Sequence, residues 1–129
     1  MGPHTSQREI RLCVPGEDRF LEMLRGVVGR AARVAGFSFA GIEDFTLAVD
    51  EAAVLLLETR PTALHLVVRG VEPGASGLDA VVSVDQPSQP WPPPGLAEDT
   101  RWQILGALSD TVRFLEPPAT GIRLAQKVR

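Results

Sequence analysis

The sequence predicts an α/β fold, a two-layer sandwich in which a mixed sheet carries helices on one face. Three observations lead there. Five short segments alternate apolar and polar residues, the period of a half-buried strand. Two longer segments near the front repeat apolar residues at three- and four-residue steps, the period of a helix. Their order, β-α-α-β-β-loop-α-β-β, gathers helices at the front and strands behind them, which suits a helical layer on a sheet.

Residues 1–9 are polar and lack a period, so they are expected to form a tail ahead of one domain over 10–129. Ile10–Val14 alternates and is closed by Pro15-Gly16, a strand followed by a turn. Glu17–Ala35 repeats Phe20, Leu21, Leu24, Val27, Val28, Ala31 and Ala35 at three- and four-residue steps, with Gly36 as its stop. Glu17 and Asp18 at one end, and Arg30 and Arg33 toward the other, suit the helix dipole. Ile42–Arg60 reads as a second helix broken by Pro61; from Ala52 to Leu57 it is apolar all round, as in a helix buried on both sides. Ala63–Arg69 and Leu78–Asp85 are alternating strands joined by a glycine-rich turn. Gln86–Gly95 holds five prolines in ten residues and must be a stiff loop. A helix over Glu98–Ser109, with Trp102, Leu105, Ala107 and Leu108 on or beside its inner face, precedes a hairpin of Val112–Leu115 and Ile122–Val128.

Composition removes several function classes. The chain has 129 residues, 44% of them apolar, enough for one core without staples. Its net charge is −3, so a broad basic face for nucleic acid is not expected. The longest apolar run, Ala52–Leu57, is far below the about 20 residues that span a bilayer. Cys13 stands alone and no leader pattern is visible, so a reducing, cytoplasmic setting is expected. His4, His65 and Cys13 cannot build a structural zinc site, and neither GxxxxGK[ST] nor GxGxxG occurs.

Glu51 lies mid-helix between Leu47 and Leu55. Read by itself it is either a partly desolvated carboxylate suited to general-base work or a carboxylate at the rim that reaches water. The surrounding Leu47-Ala48-Val49-Asp50-Glu51-Ala52 resembles the N-box helix of the GHKL ATPases, in particular the small bacterial anti-sigma factor serine kinases. Trp102–Val112 is similar to the last helix of that family and its exit into a strand, and Thr120-Gly121-Ile122-Arg123-Leu124 to its closing strand. The resemblance spans Ile10 to Val128, is closest to the divergent actinobacterial branch, and implies a sandwich of the Bergerat type.

Carried over residue by residue, the resemblance gives Glu51 the place of the general base that activates the serine of a protein substrate. The asparagine that holds magnesium falls on Leu55, which has no oxygen for a hard cation. Asp85 takes the place of the aspartate that binds adenine, with Pro87 where the family has glycine, and Thr120 that of a threonine near adenine. The glycine turn that cradles phosphates at a helix N-terminus falls on Asp99 and Arg101. The adenine end thus keeps two vestigial positions, while the magnesium and phosphate end is lost. Phosphoryl transfer depends almost wholly on metal and positioning, so neither a metal nor another cofactor is expected. A kinase using magnesium-ATP is the alternative.

Arg25 stands 26 positions before Glu51, where the resemblance implies contact with both a sigma factor and a competing anti-anti-sigma (STAS) protein. Without the resemblance it is a solvated arginine on an amphipathic helix. Trp91, within Pro90-Trp91-Pro92-Pro93-Pro94, is either a partner anchor or a plug folded back over the vacated pocket. The expected function is an anti-sigma factor that sequesters a sigma factor from RNA polymerase without nucleotide, acting as a homodimer. A non-enzymatic scaffold that binds another regulator is the remaining alternative.

Overall fold

A computed structural model describes residues 8–128. Its elements run β1 (Glu9–Pro15), α1 (Leu21–Ala35), α2 (Phe39–Leu57), β2 (Ala63–Arg69), β3 (Gly77–Asp85), α3 (Thr100–Leu108), β4 (Thr111–Phe114) and β5 (Thr120–Lys127). Single 3-10 turns precede α1 and α3. The order matches the sequence expectation, but β1 begins at Glu9, inside the stretch read as tail. Glu9 pairs with Arg69 and belongs to the sheet; positions 1–7 lie outside the described residues.

The five strands form one sheet in the order β1-β2-β3-β5-β4, and every neighbouring pair is antiparallel. This corrects the expected mixed sheet. A single crossover helix returns the chain parallel to its strand. Two helices lie between β1 and β2, so the chain enters β2 running the other way. The β3-α3-β4 crossover does make two strands of like direction, but β5 sits between them, so no parallel pair forms.

One sheet face is buried. Leu64, Leu66 and Val68 from β2, Leu78, Ala80, Val82 and Val84 from β3, and Ile122 and Leu124 from β5 all turn toward the helices. α1 touches β2 and β3, α2 touches β3 and β5, and α3 packs beside α2. Most of the apolar stretch of α2 is therefore enclosed: Ala52, Ala53, Leu55, Leu56 and Leu57 are buried and Val54 is half-buried. The other sheet face is open. It carries Cys13, His65, Arg69, Asp79 and Arg123 among small and aliphatic residues, with Asp79 bonded to Arg123 at 2.6 and 3.0 Å.

Gly36 closes α1 in the left-handed conformation (φ 94°), as its position suggested. α2 starts earlier than expected because Ser38 caps it, its hydroxyl accepting from the Gly41 amide at 3.1 Å. It also stops at Leu57, before Pro61 is reached. Arg60 takes a positive φ of 53°, and the Thr59 hydroxyl donates to the Leu56 carbonyl at 2.7 Å. On α3 only Leu105 is fully buried; Trp102 and Leu108 are half-buried and Ala107 is exposed.

Candidate functional site

The proline-rich loop does not stand away from the body. Past Asp85 the chain turns at Gln86, and the Ser88 and Gln89 amides both donate to the Thr59 carbonyl, at 2.7 and 3.1 Å. The loop is thereby pinned to the end of α2. Between them lies a groove of about 260 Å³, lined by Leu55, Glu58, Thr59, Gln89, Trp91 and flanking prolines. Leu55 is 1% exposed at its wall. Trp91 is folded back and half-buried, edge-on to Phe114 with ring centroids 5.8 Å apart, and Phe114 in turn stacks on Trp102 at 4.7 Å. The indole N–H of Trp91 is buried without a hydrogen-bond partner. A groove of this size falls below the roughly 300–1,000 Å³ that ligand pockets usually offer.

The N-terminus of α3 is already satisfied by the chain itself. Asp99 is its N-cap and accepts from the Arg101 amide at 2.8 Å. The Arg101 guanidinium turns back on the same carboxylate at 3.0 and 3.2 Å and also grips Glu58 at the end of α2. The three residues form one link between two helices. Arg101, first through its side chain and then through its amide, holds the Asp99 carboxyl below the usual carboxylate range. Asp99 first and Glu58 second push Arg101 upward. Glu58 escaped the sequence reading, since 43 positions separate it from Arg101 and no periodicity joins them.

A pH prediction follows from that link. A carboxyl depressed in the folded state stabilises above its unfolded value, about 4, and that contribution is lost as pH falls through the lower folded value. Glu9 behaves alike, lowered by Arg69 first and Arg11 next. Stability measured by denaturant titration should therefore fall below about pH 4, and Asp99→Asn should flatten that fall. An unchanged acid slope in Asp99→Asn would remove the role given to this link.

The other expected site residues are not gathered together. Glu51 is half-buried on α2, one turn before Leu55, and is not among the residues lining the groove. Asp85 and Thr120 end adjoining strands, but Thr120 pairs with Val84 on the helical side whereas Asp85 projects to the open face. There its carboxylate meets the Nε2 of His65 at 2.7 Å. Asp85 is thus occupied by a cross-strand partner, which only the strand register reveals. Pro87 is exposed in the loop that follows. Arg25, on the outer side of α1, reaches across to Asp50 of α2 at 2.9 Å; the arginine is 44% exposed and its partner 17%.

A depression of about 450 Å³ lies at one end of the open sheet face, by Arg69, Asp79 and Arg123. Its charged groups already answer one another, Asp79 with Arg123 and Arg69 with Glu9. Among the described residues no group of three or more His, Cys, Asp and Glu is placed to hold a metal ion. No helix among them is long and apolar enough to cross a membrane. The chain matches no protein-family model and no curated protein.

Proposed function

We propose that this protein is a non-catalytic interaction module of the anti-sigma type, on a Bergerat-like scaffold. It binds a sigma factor, keeps it from RNA polymerase, and yields it to a STAS-domain competitor without using nucleotide. The observation that carries this reading is the groove at the end of α2, walled by Leu55 and narrowed by Trp91, together with the Asp99 cap on α3. Leu55 offers a hydrocarbon wall where a hard cation needs oxygen. Trp91 and its prolines narrow the opening, and Asp99 places a carboxylate at the helix N-terminus that would otherwise receive phosphate. What remains for function is surface, and Arg25 supplies a guanidinium suited to paired recognition of a partner's carboxylate.

The test is a tagged pull-down from the native host, with captured proteins identified by mass spectrometry, run with and without magnesium-ATP. A sigma factor recovered at equal yield in both is the expected result. A different regulator, with no sigma factor, overturns the function and leaves the scaffold. Nucleotide-dependent recovery, with phosphate transferred to a STAS serine, would restore the kinase reading. Arg25→Ala should reduce the sigma yield at least about tenfold, the loss of roughly one well-placed charged contact; an unchanged yield moves the interface elsewhere.

A further inference from the structure

The geometry points to a binding site for a phosphoryl dianion on the outer side of α1, between Arg25, Arg30 and Arg33. These three side chains line one hollow of about 250 Å³, together with Gly26, Gly29 and Ile42. Residues three and four apart are neighbours on a helix, so Gly29 stands between Arg25 and Arg33 in one row, and Gly26 lies one turn before Arg30 in the next. Glycine weakens a helix interior, and packing within the chain does not call for it here. A Cβ at Gly26 would meet no atom within 4 Å, and one at Gly29 only the Thr46 hydroxyl at 3.8 Å. The two missing side chains leave room for a group to sink among the guanidiniums.

Charge decides what kind of group that is. Arg25 is already answered by Asp50 across the helix seam at 2.9 Å. Arg30 and Arg33 are exposed, and among the described residues neither forms an ion pair. The acids of the two helices do not make up the difference. Glu22 on α1, and Glu43, Asp44 and Asp50 on α2, all lie outside the lining of the hollow. Two guanidiniums are therefore left over. A phosphate monoester carries a charge of about −1.5 to −2 near neutral pH, which matches both, whereas one carboxylate cancels one of them. The planar arginine fork gives paired N–H donors, and a phosphoryl group has three oxygens to share between two forks.

A free phosphate compound and a phosphorylated side chain share this chemistry. They differ in what lies beyond the hollow. A second depression, of about 470 Å³, continues it along the seam past Ile42 to Leu47, which is 45% exposed. A peptide that carries the phosphate covers this apolar ground; a free ion does not. The site goes beyond the anti-sigma reading and meets it only at Arg25.

The experiment is a calorimetric titration of the full chain with three probes. They are inorganic phosphate, a short leucine-flanked peptide with one phosphoserine, and the same peptide with glutamate in its place. Saturable binding of both phosphate probes is expected, at least about tenfold tighter than that of the glutamate peptide. Arg30→Gln and Arg33→Gln should each weaken it at least about tenfold, the loss of one charge-assisted contact, with the circular dichroism spectrum unchanged. Gly26→Leu fills the hollow without meeting the chain's own atoms and should abolish binding in a folded protein. Neither α1 nor α2 carries a histidine, so binding that fades as pH falls through about 6 reports the second protonation of the phosphate. A phosphopeptide that outbinds phosphate assigns the site to a phosphorylated partner segment, and equal binding assigns it to free phosphate compounds; both support the dianion. Absence of saturation by either phosphate probe overturns the inference. So does binding that the glutamate peptide equals, or that Arg30→Gln and Arg33→Gln leave intact. Loss of sigma capture with phosphate binding preserved counts against the proposed function alone.

Discussion

Leu55→Asn should destabilise the protein by about 3–5 kcal/mol and should not create a magnesium or nucleotide site. The change introduces the residue type that the family resemblance implies there, so it tests whether the groove can take a metal. Leu55 is 1% exposed. Removing a buried leucine from its apolar surroundings forfeits about 1.5–3 kcal/mol of transfer free energy. The introduced amide must then be desolvated, at about 1–3 kcal/mol more where it finds no partner. Of the polar groups on the groove, Glu58 and Thr59 are engaged, and the Trp91 indole N–H is the unpartnered donor that an amide oxygen would have to reach. Glu58 is gripped by Arg101, the Thr59 hydroxyl donates to Leu56, and the Thr59 carbonyl already receives two loop amides. A lone amide oxygen is also a weak anchor for a cation that wants six oxygens, and Asp99 still sits where phosphate would approach. Denaturant titration should show a lowered midpoint with the slope unchanged, and calorimetry with magnesium-ATP should show no binding heat. A stable variant that binds nucleotide would mean that the loop and Trp91 lift away readily, and that the groove is a closed site instead of a lost one.

The sequence made the strands legible and left the sheet obscure. Ala63–Arg69 was bounded correctly because one face is buried and one is open, so alternation is clean. The left-handed cap at Gly36 was likewise readable from one residue. Ser38 was not recognised as a cap because Ala40 and Gly41 blur the first turn it serves. The antiparallel ladder is not legible in the sequence, because direction depends on how many helices intervene and on the insertion of β5, neither of which appears in a local window. The candidate site shows the same division. That Leu55 could not bind metal was plain from its chemistry. That Arg101 would join Asp99 to Glu58, 43 positions before the arginine, and that Asp85 would meet His65, 20 positions away, lies beyond any local window. An aspartate directly before the first helical residue is a capping signal, and it was the one available clue to the Asp99 link.

Gly121→Val should prevent folding, although the glycine follows Thr120, to which the resemblance gives a place near adenine. The reason is space between strands. Gly121 pairs with Ser83, next to the last pair of the β3–β5 ladder, Val84 with Thr120. A Cβ there would lie 2.4 Å from the Val82 carbonyl oxygen, 3.0 Å from the Ser83 Cα and 2.7 Å from the Leu115 side chain. Two of those atoms are backbone, so no rotamer relieves the contact; β5 must move off β3. The position does not require a left-handed backbone, so crowding alone decides the outcome. Overpacking usually costs about 1–3 kcal/mol where side chains can give, and a clash between backbones costs more. Against a total stability of about 5–15 kcal/mol, Gly121→Ala should be strongly destabilised and Gly121→Val unfolded. Gly26→Ala is the control on an exposed helix with room for the methyl, and it should gain up to about 1 kcal/mol. Thermal melts of the three variants separate the explanations. If Gly121→Ala folds at the parent's Tm, the glycine is not held by packing and a close-approaching ligand regains its claim. If it collapses while Gly26→Ala melts higher, the resemblance at Thr120-Gly121 reflects how the sheet is built, and the nucleotide role has no separate support there.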